Sequence, residues 1–168
     1  HINKHLQDKE SRLRFSANRK TIFVLGGSQG SALLNTLIKG FLEQHATHAS
    51  QLQIIHQTGA FEETNWNNWY EQHAIPALTF SYDERIARYY ALADVIICRA
   101  GAGTLFEIAF FGKPCIVIPL VAHTTAHQVQ NAHAMAKQYP TLFTVFDQTA
   151  VTENSVIFYD AVSSRLGL

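Results

Sequence analysis

The stretch Asp94–Pro119, DVIICRAGAGTLFEIAFFGKPCIVIP, decides the fold. Asp94 to Cys98 is a short β-branched run, the pattern of a strand buried on both faces. Arg99-Ala100-Gly101-Ala102-Gly103-Thr104 breaks that run with two glycines. Leu105, Ile108 and Ala109, followed by Gly112, then fit a short helix with a glycine stop. Lys113-Pro114 leads into a second apolar run, Cys115 to Pro119. A glycine turn between a buried parallel strand and a helix lets a ligand approach the backbone closely. It also directs the helix's free N–H groups and positive dipole end at that ligand, so the expected ligand is an anion. Glu107, one turn into the helix, stands where a carboxylate could accept hydrogen bonds from ribose hydroxyls.

The same unit occurs earlier in the chain. Thr21 to Leu25 reads as a strand, Gly26-Gly27-Ser28-Gln29-Gly30 follows at once, and Leu33, Leu34, Leu37, Ile38, Phe41 and Leu42 repeat at helical spacing. Between the two units, Leu52 to His56 reads as a strand ending in His56-Gln57-Thr58-Gly59. A polar helix is expected over Phe61 to His73, an extended piece from Pro76 to Phe80, and a small helix over Asp83 to Leu92. After the central stretch come a loop (Leu120 to Ala126), a helix (His127 to Tyr139) and a strand (Leu142 to Phe146). The remainder, Gln148 to Leu168, reads as partly helical and as cut short. Strands alternating with helices, without a hairpin signal, predict an α/β fold with a doubly wound parallel sheet of Rossmann-like type. In such sheets the ligand lies beyond the C-terminal strand ends, where the strand order reverses. Both glycine loops fall on that rim.

Composition narrows the function. At 168 residues the chain is long enough for one domain with a full core, and 47% hydrophobic against 15% charged residues describe a globular chain. Thirteen basic residues balance thirteen acidic ones without a basic block, so charge indicates neither a nucleic-acid partner nor a strongly membrane-binding surface. Cys98 and Cys115 both lie in apolar runs and read as buried, reduced thiols. No apolar run is long enough to span a bilayer. The chain starts at His1 without Met, so residues 1–19, polar and mixed in charge, read as a linker or the tail of a preceding domain, and residues 20–168 as the ligand-binding domain.

Three phosphate-binding readings compete. A P-loop needs Gly-Lys-Ser/Thr, which neither glycine loop has. A dinucleotide site wants G-x-G-x-x-G after the first strand and an acid at the end of the second. Here Gly-Gly-Ser-Gln-Gly and His56-Gln57 stand in those places. The third reading is a nucleotide-sugar site, with the diphosphate between the two loops and the ribose on Glu107.

In order along the chain stand Gly26-Gly27-Ser28-Gln29-Gly30, His56-Gln57-Thr58-Gly59, Ala93-Asp94, Cys98-Arg99-Ala100-Gly101-Ala102 with Glu107, Gly112-Lys113-Pro114, Pro119, and His127-Gln128 with Asn131-Ala132. This set resembles the C-terminal domain of the MurG-like family-28 glycosyltransferases, two-domain enzymes of GT-B type, over about residues 21–151. The resemblance implies transfer of N-acetylglucosamine from UDP-GlcNAc to a lipid-pyrophosphate-linked MurNAc acceptor in peptidoglycan synthesis. Such an enzyme works at the cytoplasmic face of the inner membrane as a peripheral protein. It further implies that Ser28 meets the donor diphosphate with the backbone of Gly27, Gln29 and Gly30 nearby, and that Ala102, Gly103 and Thr104 line the phosphates with Glu107 on the ribose. Leu105 and Phe106 are further substrate-binding candidates, and Gln128 and Asn131 would read the sugar. Asp83 is a further candidate, near the uracil. Arg99 stands equally as a phosphate ligand or as the partner of an acid.

By the same resemblance, transfer inverts the anomeric centre, needs no metal or other cofactor, and takes its general base from an N-terminal domain that also carries the acceptor and membrane contacts. The chain alone is then expected to bind donor without turnover and to hold no catalytic residue. The family usually has Leu where Gly103 stands, and an acid where Thr125-Ala126 precede the His-Gln pair. An alternative is a non-catalytic UDP-sugar-binding subunit of a split transferase, as in eukaryotic dolichol-linked synthesis. His123, His127 and His133 do not form a ligand set with Cys, Asp or Glu and read as solvated or capping side chains. His56 reads as a satisfied core histidine or a rim contact.

Overall fold

A computed structural model describes residues 15–122 and 124–168. The expected linker segment up to residue 14, and His123, lie outside the described residues. Six strands form one sheet: β1 (Lys20–Leu25), β2 (Leu52–Gln57), β3 (Ala77–Phe80), β4 (Val95–Cys98), β5 (Cys115–Val117) and β6 (Phe143–Val145). All neighbours are parallel, in the order β3-β2-β1-β4-β5-β6. The helices are α1 (Ala32–Gln44), α2 (Trp66–Gln72), α3 (Ala87–Leu92), α4 (Ala102–Phe111), α5 (Ala126–Gln138), α6 (Gln148–Glu153) and α7 (Val156–Leu166). A short 3₁₀ turn, Ala46–Gln51, precedes β2.

The doubly wound sheet follows from strands that are apolar on both faces. Along β1, Ile22 and Val24 enter one core with α1, α2 and α7, while Phe23 and Leu25 enter the other with α3, α4 and α5. The start of β4 is tied to β1 by Asp94, whose Oδ2 accepts from the Thr21 N–H at 2.7 Å. The order reverses between β1 and β4, so the loops following these two strands flank the switch point.

Two helices are shorter than their sequence predicts. α2 begins at Trp66, capped by Asn65, because Glu62 is drawn out of the expected helix: it accepts from the Asn35 side chain and from the Thr64 N–H. α3 begins at Ala87, because the Asp83 carboxylate takes the Arg85 N–H into a turn. Gly112 ends α4 in the left-handed conformation, φ 62°.

Candidate nucleotide-sugar site

A cleft of about 800 Å³ opens at the β1/β4 switch point. Its floor is the loop Gly26–Gly30 after β1. Its walls are the start of α1 on one side and, on the other, Arg99, Gly101 and the first turns of α4. Ser31 caps α1, its Oγ accepting from the Leu34 N–H, whereas α4 starts at Gly101 with no side-chain cap. The first N–H groups of α4 are therefore left for a ligand or solvent, and both helices bring positive dipole ends to the cleft.

The glycine loop is set by close backbone packing. Gly30 (φ 83°) and Gly59 (φ 94°) meet so closely that a Cβ on Gly59 would lie 2.2 Å from the Gly30 Cα, and one on Gly30 would lie 2.5 Å from the Thr58 carbonyl oxygen. The Ala60 N–H donates to the Ser28 carbonyl at 3.1 Å. A Cβ on Gly103, by contrast, meets nothing within 4 Å, so close packing does not require glycine there.

Gln57, which sequence reasoning weighed only as a missing acid, holds the loop from the end of β2. Its Oε1 accepts from the Gly27 N–H at 3.1 Å and its Nε2 donates to the Ser81 carbonyl at 3.3 Å. The position that carries the ribose-binding acid in a dinucleotide site is thus occupied by an amide already committed to the backbone, which counts against that reading.

Behind Gln57 lies a buried relay. His56 is fully buried, with Nε2 at 2.9 Å from Asn35 Oδ1 and Nδ1 at 2.9 Å from the Tyr70 hydroxyl. An amide oxygen only accepts, so Nε2 carries the proton, and in the neutral ring Nδ1 accepts from Tyr70. Burial drives the imidazole pKa down to about 3, against an opposing pull from Glu62, so the ring stays neutral. The Asn35 amide nitrogen passes the chain to the Thr58 carbonyl at 3.3 Å and to Glu62. His56 is a satisfied core histidine that supports the loop at Thr58-Gly59.

Arg99 pairs with no acid among the described residues. Its Nε donates to the Ser31 hydroxyl at 3.1 Å, and Nη1 to the Ile118 carbonyl at 3.1 Å and to Gln148 Oε1 at 2.8 Å. The guanidinium joins the cap of α1, the end of β5 and the start of α6 while lining the cleft. Burial lowers its pKa, but it remains a fixed cation. Gln128 performs a similar knitting role: its Oε1 accepts from Ala100 N–H at 3.2 Å and Leu120 N–H at 3.0 Å, holding together the loops after β4 and β5.

Of the residues singled out in the sequence, Gly27, Ser28, Gln29, Gly30, Arg99, Thr104, Glu107 and Gln128 line this cleft. Ala102 and Gly103 are exposed in the first turn of α4 beside it. The others lie elsewhere. Leu105 is buried in the core beneath α4. Phe106 points away into a separate apolar groove. Asn131 is half-buried on α5, outside the lining. Asp83 is engaged with Arg88 Nη2 and the Tyr89 hydroxyl, each at 2.7 Å, so its carboxylate is committed to structure.

Glu107 is the one carboxylate among the described residues that line the cleft. Tyr90, a residue of α3, also lines it beside Glu107. Its phenol pKa is raised, first by burial and then by that carboxylate. Tyr82, two-thirds exposed, stands at the rim with its ring free to cover a flat ligand. Gln148 and Thr152 also line the cleft. No local sequence signal marked Gln148, since its partner Arg99 is 49 positions away.

The glycosyltransferase family 28 C-terminal domain matches residues 21–157. A relative from Geobacter metallireducens, named UDP-N-acetylglucosamine–N-acetylmuramyl-(pentapeptide) pyrophosphoryl-undecaprenol N-acetylglucosamine transferase, is 35% identical over 117 residues, covering 70% of this chain and 32% of the relative. A protein of the same name from Campylobacter fetus is 32% identical over 144 residues, covering 86% of this chain and 42% of its own. The chain thus spans 32% and 42% of the length of these two relatives. Among solved structures, Acinetobacter baumannii MurG aligns with a TM-score of 0.68 at 25% identity, over 94% of this chain and 45% of that one. A spinosyn rhamnosyltransferase complexed with thymidine diphosphate aligns at 0.55 with 15% identity, over 92% of this chain and 39% of its own, a likeness of fold alone. The sheet is therefore that of a GT-B glycosyltransferase half, and the chain belongs to the glycosyltransferase family 28 C-terminal domain family.

Proposed function

We propose that this chain binds UDP-GlcNAc as the donor half of an inverting, metal-independent glycosyltransferase. The acceptor in this reading is a lipid-pyrophosphate-linked MurNAc, and the product serves peptidoglycan synthesis at the cytoplasmic membrane face. The observation that carries the reading is the pairing of a cationic end and an anionic end in one cleft. Two helix N-termini and the fixed Arg99 guanidinium surround the glycine loop, while Glu107 stands one turn along α4. A nucleoside diphosphate has the complementary order: phosphates on the loops, ribose hydroxyls on the carboxylate, and the base toward Tyr82. The names of the relatives supply the choice of uridine and N-acetylglucosamine.

When UDP leaves, negative charge grows on the diphosphate. Backbone N–H groups at Ala102–Thr104 and the Arg99 cation are already in place to stabilise it, without reorganising at the moment of reaction. That supply of fixed charge supports a reaction without a divalent cation. A single carboxylate at the cleft is a poor donor set for Mg²⁺ and is assigned to the ribose. Gln128, through its amide nitrogen, is the side chain left to meet the sugar. The general base and the acceptor site belong, in this reading, to an N-terminal domain.

The reading is tested by adding UDP to the isotope-labelled chain and following amide shifts. Changes concentrated at Gly27–Gly30, Ala102–Glu107 and Tyr82 are expected. Saturable changes confined to other surfaces would contradict it.

A further inference from the structure

α4 has the sequence AGTLFEIAFF, with one charge in ten residues. A helix that is apolar all round belongs under cover. Only one side of this one is covered: Leu105 and Ile108 are buried, while Phe106 and Phe110, one turn apart, are 66% and 84% exposed. Beside them lies an apolar groove lined by Phe106, Ala109, Phe110, Phe111 and Tyr139, with Glu107 shared with the donor cleft. The face continues to Leu92 at the end of α3, 49% exposed, and carries a cation at its edge. Lys113 Nζ lies 2.9 Å from the Ala91 carbonyl, next to Leu92.

We infer that this face of α4 is a membrane-contact surface, with Phe106 and Phe110 entering the interfacial layer of an anionic bilayer and Lys113 at the headgroups. The inference rests on the lipid-linked acceptor proposed above, and it adds to the upstream domain a contact within this domain. Size distinguishes the occupant. The two rings expose roughly 300 Å² between them, taking about 200 Å² for a whole Phe. A stable dimer needs about 800 Å² from each partner. Shallow insertion of a few aromatic side chains needs no more than is present, and neighbouring Lys favours anionic lipid. The balanced net charge of the chain leaves the apolar rings as the main source of affinity.

The test is co-sedimentation of the 168-residue chain with vesicles of phosphatidylglycerol and phosphatidylcholine in equal parts, and of phosphatidylcholine alone. The chain is expected to pellet with the mixed vesicles at lipid concentrations on the order of 0.1–1 mM. Phe110→Glu should weaken this at least tenfold, and Lys113→Gln should reduce the preference for the anionic mixture. Phe110→Trp supplies a readout independent of Phe110→Glu, a blue shift of its emission on adding vesicles.

The proposal is overturned if the chain stays in the supernatant, if Phe110→Glu pellets like the parent, or if Phe110→Trp shows no shift. It is also overturned if sedimentation velocity without lipid shows a dimer that Phe110→Glu dissolves while vesicles capture nothing; that outcome would assign the face to a second copy. UDP binding measured on the same samples separates the two readings, since donor binding without vesicle capture overturns only the membrane surface.

Discussion

Tyr90 and Glu107 line the same cleft from α3 and α4, a buried phenol whose pKa is raised by burial and by the one carboxylate among the described residues that line it. Tyr90 is 1% exposed and packs on Phe23 with ring centroids 5.6 Å apart, so its position is fixed from the sheet. In the proposed donor complex, a carboxylate that accepts from ribose hydroxyls gains from being oriented before the ligand arrives. Removing only the hydroxyl from the cleft lining, Tyr90→Phe, is expected to weaken UDP binding by about 2–10-fold. Isothermal titration with UDP checks this, and unchanged affinity would limit Tyr90 to packing.

The contact of Gly30 with Gly59 separates two glycines that look alike in sequence. Gly59→Ala would place a methyl 2.2 Å from the Gly30 Cα, forcing the loops apart, with an expected cost of about 1–3 kcal/mol and loss of donor binding. Gly27→Ala keeps the same left-handed strain, φ 80°, but meets nothing within 4 Å, so its cost should stay near about 1 kcal/mol. Urea denaturation of both variants gives the comparison. Equal losses would mean that backbone conformation, not the contact, sets the requirement for glycine.

His56 makes stability depend on pH with a definite sign. Its pKa is about 3 in the folded chain and about 6.5 when exposed, so between these values the unfolded chain binds a proton that the folded chain does not. Stability from this residue is complete above about pH 6.5 and falls as the pH drops toward 3, by up to about 1.4 kcal/mol per unit. His56→Gln removes that slope. Denaturation of both proteins at pH 7, 6, 5 and 4 should show curves that diverge at the alkaline end and close toward acid. Parallel curves would show that His56 does not titrate as its burial requires.

The strands were readable where they are apolar on both faces, as β1 and β4 are, a pattern that local sequence carries in full. The loop Gly26–Gly30 was readable because a left-handed turn before a helix leaves few other choices of residue. What was not readable depends on pairings far apart in the chain. An amide at the end of a strand, Gln57, has no local feature showing that it will take the Gly27 N–H thirty positions earlier. Arg99 was equally open to an anion or an acid, and it found carbonyl oxygens at Ile118 and Pro119 instead. Asp83 was drawn into a local turn and an ion pair with Arg88 that no spacing rule predicts. Leu105 and Phe106 followed Thr104 in the motif, but adjacent helix positions face different ways, so one entered the core and the other left the cleft.

The central claim is that Glu107 holds the ribose of a uridine nucleotide at the β1/β4 switch point. Its most direct test is calorimetric titration of UDP-GlcNAc into the chain and into Glu107→Ala, both in EDTA. Saturable, metal-free binding that falls at least tenfold in Glu107→Ala, with folding stability retained, is the predicted result. Binding that Glu107→Ala leaves intact, or binding that requires a divalent cation, would contradict it.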